Sequence, residues 1–133
     1  MGRVAVRLVV LLSLLAYGPT PARAHHSFAA EYDANKPITL TGMVTKVEWL
    51  NPHVRFYIDV KDAGAATHWE LTMGGPNGLL RRGWKRTMLK PGETVTVNGY
   101  LARDGSKLAN VRIVTLPDGQ KMFGGTAPDA PPS

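Results

Sequence analysis

The chain contains no cysteine in its 133 residues. This absence excludes disulfides, thiolate metal sites and a lipid anchor on cysteine, so the protein must be stable through its core alone. It also lacks a long hydrophobic run, because the longest uncharged apolar stretch, residues 8–16, is half of the roughly 20 residues that span a bilayer. A glycine-rich phosphate loop, a nucleophile elbow and a catalytic triad are missing as well. We therefore expect a protein that is not an enzyme.

The first 24 residues have the pattern of a cleavable signal peptide. Arg3 and Arg7 precede the apolar run, and small residues at Ala22 and Ala24 fit the cleavage rule. We expect cleavage after Ala24, a periplasmic location and no membrane span in the mature protein. Loss of three arginines with the leader reduces 16 basic residues to 13, against 10 acidic ones. A net charge of +3 gives little reason to infer a polyanion such as nucleic acid as the partner.

The mature sequence alternates with the period of strands. Residues 25–37 are predicted to form an N-terminal extension, residues 38–123 a folded domain, and residues 124–133 a disordered tail. In the first strand the apolar positions change parity, which indicates a bend or bulge within residues 42–46. The next two runs alternate regularly, and they place the following residues inward: Val54, Phe56, Ile58, Val60, Trp69, Leu71 and Met73.

A short helical connection is predicted next, capped by Asn77 and ended by Gly83. Two strands follow around a turn at residues 104–105, with Ala109, Val111 and Ile113 inward in the second. Three strands, a helical connection and a hairpin match the five-stranded Greek-key barrel known as the OB-fold. The prediction is an all-β, OB-like barrel, with a flat meander or an open sandwich as the alternatives.

Several segments resemble one family of exported bacterial proteins. They are HHSFAAEYD at residues 25–33, WLNPH at 49–53, PNGLLRRGW at 76–84, LKPGE at 89–93 and LPDG at 116–119. The family is catalogued as domain of unknown function 6152. The resemblance implies a periplasmic single-domain protein with no assigned reaction. Relatives often carry an aromatic residue in the second strand where this chain has Arg55.

Four histidines are candidate metal ligands, namely His25, His26, His53 and His68. After cleavage, His25 would chelate Cu(II) through its α-amine and Nδ1, with His53 or His68 as a further nitrogen donor. The alternative is that the four are solvent-exposed residues without a metal. None has the tight spacing of a zinc hydrolase site.

A second candidate site combines arginines with aromatic residues. Arg81 and Arg82 lie beside Trp84 and are predicted to bind an anion or a partner protein, with Arg55 and Tyr57 on the outward face of the second strand contributing. In the alternative, Leu79, Leu80 and Trp84 close the open end of the barrel while the basic residues face water. We expect a monomeric or weakly associating, non-catalytic module that binds a periplasmic protein or a small ligand. Copper binding is the alternative function.

Overall fold

The computed structural model describes residues 28–125, which form six strands and two short helices. Helix α1 (Phe28–Glu31) leads directly into the long strand β1 (Tyr32–Trp49), and β2 (Val54–Asp62) and β3 (Ala65–Thr72) follow. Helix α2 (Pro76–Arg81) connects β3 to the remaining strands, which are β4 (Thr94–Ala102), β5 (Leu108–Thr115) and β6 (Lys121–Phe123). The all-β prediction is confirmed.

The sheet closes on itself. Its strand order is β3-β2-β1-β4-β5-β6, and β3 also pairs in parallel with β5, whereas the other pairs are antiparallel. The pairings therefore run in a ring through β1, β2, β3, β5 and β4. The sequence predicted five strands, but the turn after Leu116 returns the chain to β5 as a sixth strand and buries Met122.

The bend predicted in β1 is confirmed. The pairing of β1 with β2 shifts register between Val44 and Lys46, so one residue of β1 is unpaired there. Gly42 lies just before this bulge, where a Cβ would come within 2.6 Å of the Asp59 carbonyl oxygen. The missing side chain allows β1 and β2 to approach closely at the bend.

The core is formed by the inward faces predicted for β2 and β3. Val54, Phe56 and Ile58 are fully buried, and the inward residues of β3 are buried as well, whereas Val60 is only partly covered at the margin. Regular alternation was sufficient to assign both faces, because a strand without a bulge keeps one parity inside.

The inward assignment of Ile113 in β5 is wrong, because β5 changes parity. Gly99 pairs with Val111 but Asn98 pairs with Ile113, so Arg112 is an extra residue in the ladder. Val114 consequently occupies the core position predicted for Ile113, which is only partly buried.

The described part of the predicted N-terminal extension is folded. Phe28 packs against Tyr32 and Tyr100, with ring centroids 5.5 and 5.7 Å apart, and Tyr32 pairs with Ala102. Arg103 fixes this segment, since its Nε donates to the Ala29 carbonyl at 2.7 Å. Three aromatic rings thus attach the start of β1 to β4, a contact between distant segments that strand periodicity does not reveal.

The structure describes the first two residues of the predicted C-terminal tail, Gly124 and Gly125. Gly124 donates to the Arg112 carbonyl at 2.7 Å and accepts from the Gly74 amide at 2.8 Å, so the predicted tail does not begin at Gly124. The leader, His25, His26 and the rest of the tail lie outside the described residues. Within residues 28–125, no helix is long and apolar enough to cross a membrane.

Helix α2 begins two residues earlier than predicted. Pro76 occupies its first turn and Gly75 its N-cap, so Asn77 does not cap the helix. This fits the preference of proline for the first helical positions, where no backbone N–H is required. The helix ends before Gly83, whose φ of +93° suits glycine, as predicted.

We expect Tyr32→Phe to reduce the loss of stability at alkaline pH. Tyr32 is 3% exposed, and burial raises the pKa of its phenol to about 12. Because the folded state holds the neutral phenol, Tyr32 stabilises it below the ordinary pKa of about 10, and this contribution is lost as the pH rises through about 12. The variant lacks this titration. Since Tyr32→Phe removes only the hydroxyl and keeps the buried ring, stability at pH 7 should change by about 1 kcal/mol or less.

Urea denaturation at neutral pH and at several alkaline pH values measures this effect. An equal alkaline loss in both proteins would show that Tyr32 does not titrate in this range.

Candidate functional site

Polar and aromatic side chains cover the outward face of β1, β2 and β3. These side chains lie in three rows of residues paired across the strands. In the central row, Tyr57 pairs with Lys46 on one side and with Glu70 on the other. The outer-sheet cluster is defined here by these residues: Lys46, Glu48, Arg55, Tyr57, Asp59, His68 and Glu70. The predicted site residues Arg55 and Tyr57 are therefore brought together on one surface.

The charges of the outer-sheet cluster are paired with one another. Lys46 forms an ion pair with Glu48, and Arg55 Nε lies 3.3 Å from a Glu70 carboxylate oxygen. The Tyr57 hydroxyl donates to Glu48 at 3.0 Å. Lys46 and then this hydroxyl lower the pKa of Glu48. Since exposed pairs of this kind contribute little to stability, their main effect is to occupy the charged groups locally.

His68 belongs to this cluster, but it does not meet His53. Its ring stacks on Tyr57 with centroids 5.6 Å apart, and its Nδ1 lies 2.7 Å from Asp59 Oδ1. His53 directly precedes β2, whereas Asp59, the strand partner of His68, lies five residues after Val54. At about 3.3 Å per residue, the two histidines are separated by roughly 17 Å or more and do not ligate one ion.

No described group provides a metal site. Residues 28–125 contain no cluster of three or more histidine and carboxylate side chains suited to a metal ion. His25 and His26, the predicted chelator and its neighbour, lie outside the described residues. Copper binding at the processed N-terminus therefore stays a prediction.

Trp84 lies in the core and is not a surface residue. It is 2% exposed, and its indole N–H donates to the Phe123 carbonyl at 2.8 Å. Leu79 is also fully buried. The burial of Trp84 is incompatible with the predicted direct contact with a partner. The alternative of an apolar plug agrees with the burial of Trp84 and Leu79 but not with Leu80, which is 41% exposed. After α2 the chain turns back on the helix, since the Trp84 backbone amide donates to the Leu79 carbonyl at 3.1 Å, and the indole contacts β6 at Phe123.

The basic residues around Trp84 remain on the surface. Arg81, Lys85, Arg86 and Lys90 form no ion pair with any carboxylate in the described part of the chain. The Arg86 guanidinium lies 5.4 Å from the centre of the Trp49 ring, and that of Arg82 lies 4.9 Å from the Phe123 ring. These cations are anchored through aromatic faces or extend into solvent.

Two exposed leucines accompany these cations. Leu50 is 60% exposed in the β1–β2 loop, and Leu80 is 41% exposed on α2. The two segments meet, because a Cβ on Gly75 would lie 3.2 Å from the Pro52 carbonyl oxygen and because Arg86 lies over Trp49. We define the basic end by these residues: Leu50, Leu80, Arg81, Arg82, Lys85, Arg86 and Lys90.

A small cavity of about 100 Å³ adjoins Leu50. Its lining includes Glu48 and Arg55 from the outer-sheet cluster together with residues 50–53 of the loop. His53 is in this lining, and the Asn51-Pro52 bond, whose isomer the sequence does not specify, is cis. The cavity therefore borders both the outer-sheet cluster and the basic end. Sequence reasoning missed Leu50 as a surface feature, although a leucine directly before Asn-Pro in a predicted loop was an available signal.

These features define a small all-β protein with a closed sheet, a polar face of paired charges, and a basic end where Arg81, Lys85, Arg86 and Lys90 form no ion pair with a described carboxylate. The family model described as "Family of unknown function (DUF6152)" matches residues 12–110. The chain belongs to this family. No curated protein matches it.

Proposed function

We propose that the protein is an exported, non-catalytic binding module that uses the basic end to bind an anionic partner. The observation that carries this proposal is that the surface cations Arg81, Lys85, Arg86 and Lys90 have no described carboxylate partner and lie next to two exposed leucines. Unpaired cations keep their charge available to a partner, whereas the paired cations of the outer-sheet cluster do not.

The strand pairings support an OB-type barrel as the scaffold. The ring through β1, β2, β3, β5 and β4, with a helix between β3 and β4, is the order expected of that fold. OB-folds commonly bind oligonucleotides on the face of strands two and three. Here that face carries internal ion pairs and a tyrosine stacked on a histidine, which argues against an open stacking surface for bases. The basic end is the better candidate.

Export is supported by the leader pattern in residues 1–24. A periplasmic module of this kind would act by contact with another molecule in that compartment. The proposal contains no chemical step, because the described polar residues are engaged in surface pairs and turns rather than in a nucleophile–base arrangement.

Charge reversal at the basic end tests the proposal. The immobilised protein is incubated with the exported fraction of its own cells. We expect the unchanged protein to capture binding partners from this fraction and the Arg81→Glu/Lys85→Glu variant to capture none of them. Lys36→Glu/Lys61→Glu is the matched control, since both residues are exposed and the change in net charge is the same. Retention of the same partners by the basic-end variant would contradict the proposal, provided that circular dichroism shows all three proteins folded.

A further inference from the structure

We infer that the anionic partner of the basic end is the phospholipid surface of a membrane. This inference rests on the proposed function, because it specifies the partner of the same surface. The protein would lie on the membrane through Arg81, Lys85 and Arg86 while Leu50 and Leu80 insert between lipid headgroups. Binding to anionic lipid would therefore require both charge and exposed apolar side chains.

The distribution of charge favours this partner. Five of the 13 basic residues after residue 24 lie within residues 81–90, a segment with no acidic residue. Glu48, a carboxylate that lines the cavity beside Leu50, is already paired with Lys46. Clustered basic residues are attracted to anionic lipid, and each one near the surface contributes about a five-fold increase in affinity.

The residue types favour a lipid surface over an acidic protein. Protein interfaces are depleted of lysine, and leucine is under-represented among their dominant contacts. A surface that lies in a membrane interface instead combines lysine and arginine with protruding leucine, phenylalanine or tryptophan. Leu50 and Leu80 are two of the three large hydrophobic residues exposed in the described chain, and both are at the basic end.

The third exposed hydrophobic residue provides an internal control. Met43 is 43% exposed, about as much as Leu80, but it lies on β1 opposite Asp59 in the outer-sheet cluster region. If any exposed hydrophobic side chain supported lipid binding, substitution of Met43 would weaken binding to vesicles. If lipid binds at the basic end, substitution of Met43 should leave binding unchanged.

Vesicle sedimentation tests the inference. The protein is produced with its own leader and isolated as the cell processes it, and it is mixed with vesicles of phosphatidylcholine alone or of equal parts phosphatidylcholine and phosphatidylglycerol. We expect binding to the mixed vesicles, weakened more than ten-fold by Arg81→Glu/Lys85→Glu and several-fold by Leu80→Ser. Lys36→Glu/Lys61→Glu and Met43→Ser, the matched controls, should bind within about two-fold of the unchanged protein.

The outcomes distinguish this inference from the proposed function. No binding to mixed vesicles, or equal losses in the basic-end variants and their controls, would overturn the lipid inference. Polyglutamate as a soluble probe identifies the alternative. Binding of polyglutamate that depends on Arg81 and Lys85, without vesicle binding, would indicate an acidic protein partner and leave the proposed function intact. If Arg81→Glu/Lys85→Glu binds mixed vesicles and polyglutamate as well as the unchanged protein does, both the lipid inference and the proposed function are contradicted.

Discussion

Trp84→Ala should lower the free energy of unfolding by about 3–5 kcal/mol, one of the two largest effects expected in this protein. The indole is 2% exposed in the core, so its removal leaves a cavity that the surrounding strands fill only in part. The Phe123 carbonyl also loses its 2.8 Å hydrogen bond. Because domains of this size are stable by about 5–15 kcal/mol, we expect much of the stability to be lost.

Trp84→Phe separates the two contributions. It retains much of the ring volume but cannot donate to Phe123, so it should cost less than the alanine variant. Urea denaturation followed by circular dichroism gives the free energies of all three proteins. A cost below about 1 kcal/mol for Trp84→Ala would show that the indole is not part of the core.

Gly99→Ala should destabilise the protein by about 3 kcal/mol or more. A Cβ at this position would lie 2.1 Å from the Asn110 carbonyl oxygen, a contact that requires the backbones of β4 and β5 to separate. Gly99 pairs with Val111 beside the bulge at Arg112, so the separation would disturb the ladder that closes the sheet. The same denaturation measurements report the cost.

Gly78→Ala is the matched control for Gly99→Ala. Its added Cβ would have its nearest neighbour at 3.9 Å, on the Arg81 side chain, and alanine is favoured over glycine within a helix. We expect Gly78→Ala to be neutral or to stabilise the protein by up to about 1 kcal/mol. Equal destabilisation by both substitutions would mean that loss of glycine flexibility, and not the close strand contact, sets the cost.

Sequence periodicity predicted the fold best where the strands are regular. The inward faces of β2 and β3 follow directly from alternation, and the parity change in β1 correctly located its bulge. Ile113 was assigned to the wrong face because the bulge in β5 arises from its pairing with β4, and the apolar residues Ile113 and Val114 are adjacent in sequence. The folding of Phe28 and Tyr32 onto β4 likewise depends on distant contacts with Tyr100.

The candidate site was only partly predictable for the same reason. The sequence predicted that Arg81 and Arg82 bind an anion or a partner protein, and it left open whether Trp84 is a binding residue or part of an apolar plug. The burial of Trp84 is visible only in the folded structure. The same holds for the pairing of Arg55 with Glu70 and for the lack of a described carboxylate partner of Arg81. Whether a surface charge is paired depends on strand register and loop placement, which residue spacing does not specify.

Photocrosslinking in living cells tests most directly whether the basic end is the binding surface. Leu80 is replaced by benzoylphenylalanine in one protein and Met43 in another, since both side chains are similarly exposed but lie on different surfaces. We expect irradiation to yield adducts from position 80 and none from position 43. Adducts from position 43 alone, or equal adducts from both, would contradict the assignment of binding to the basic end.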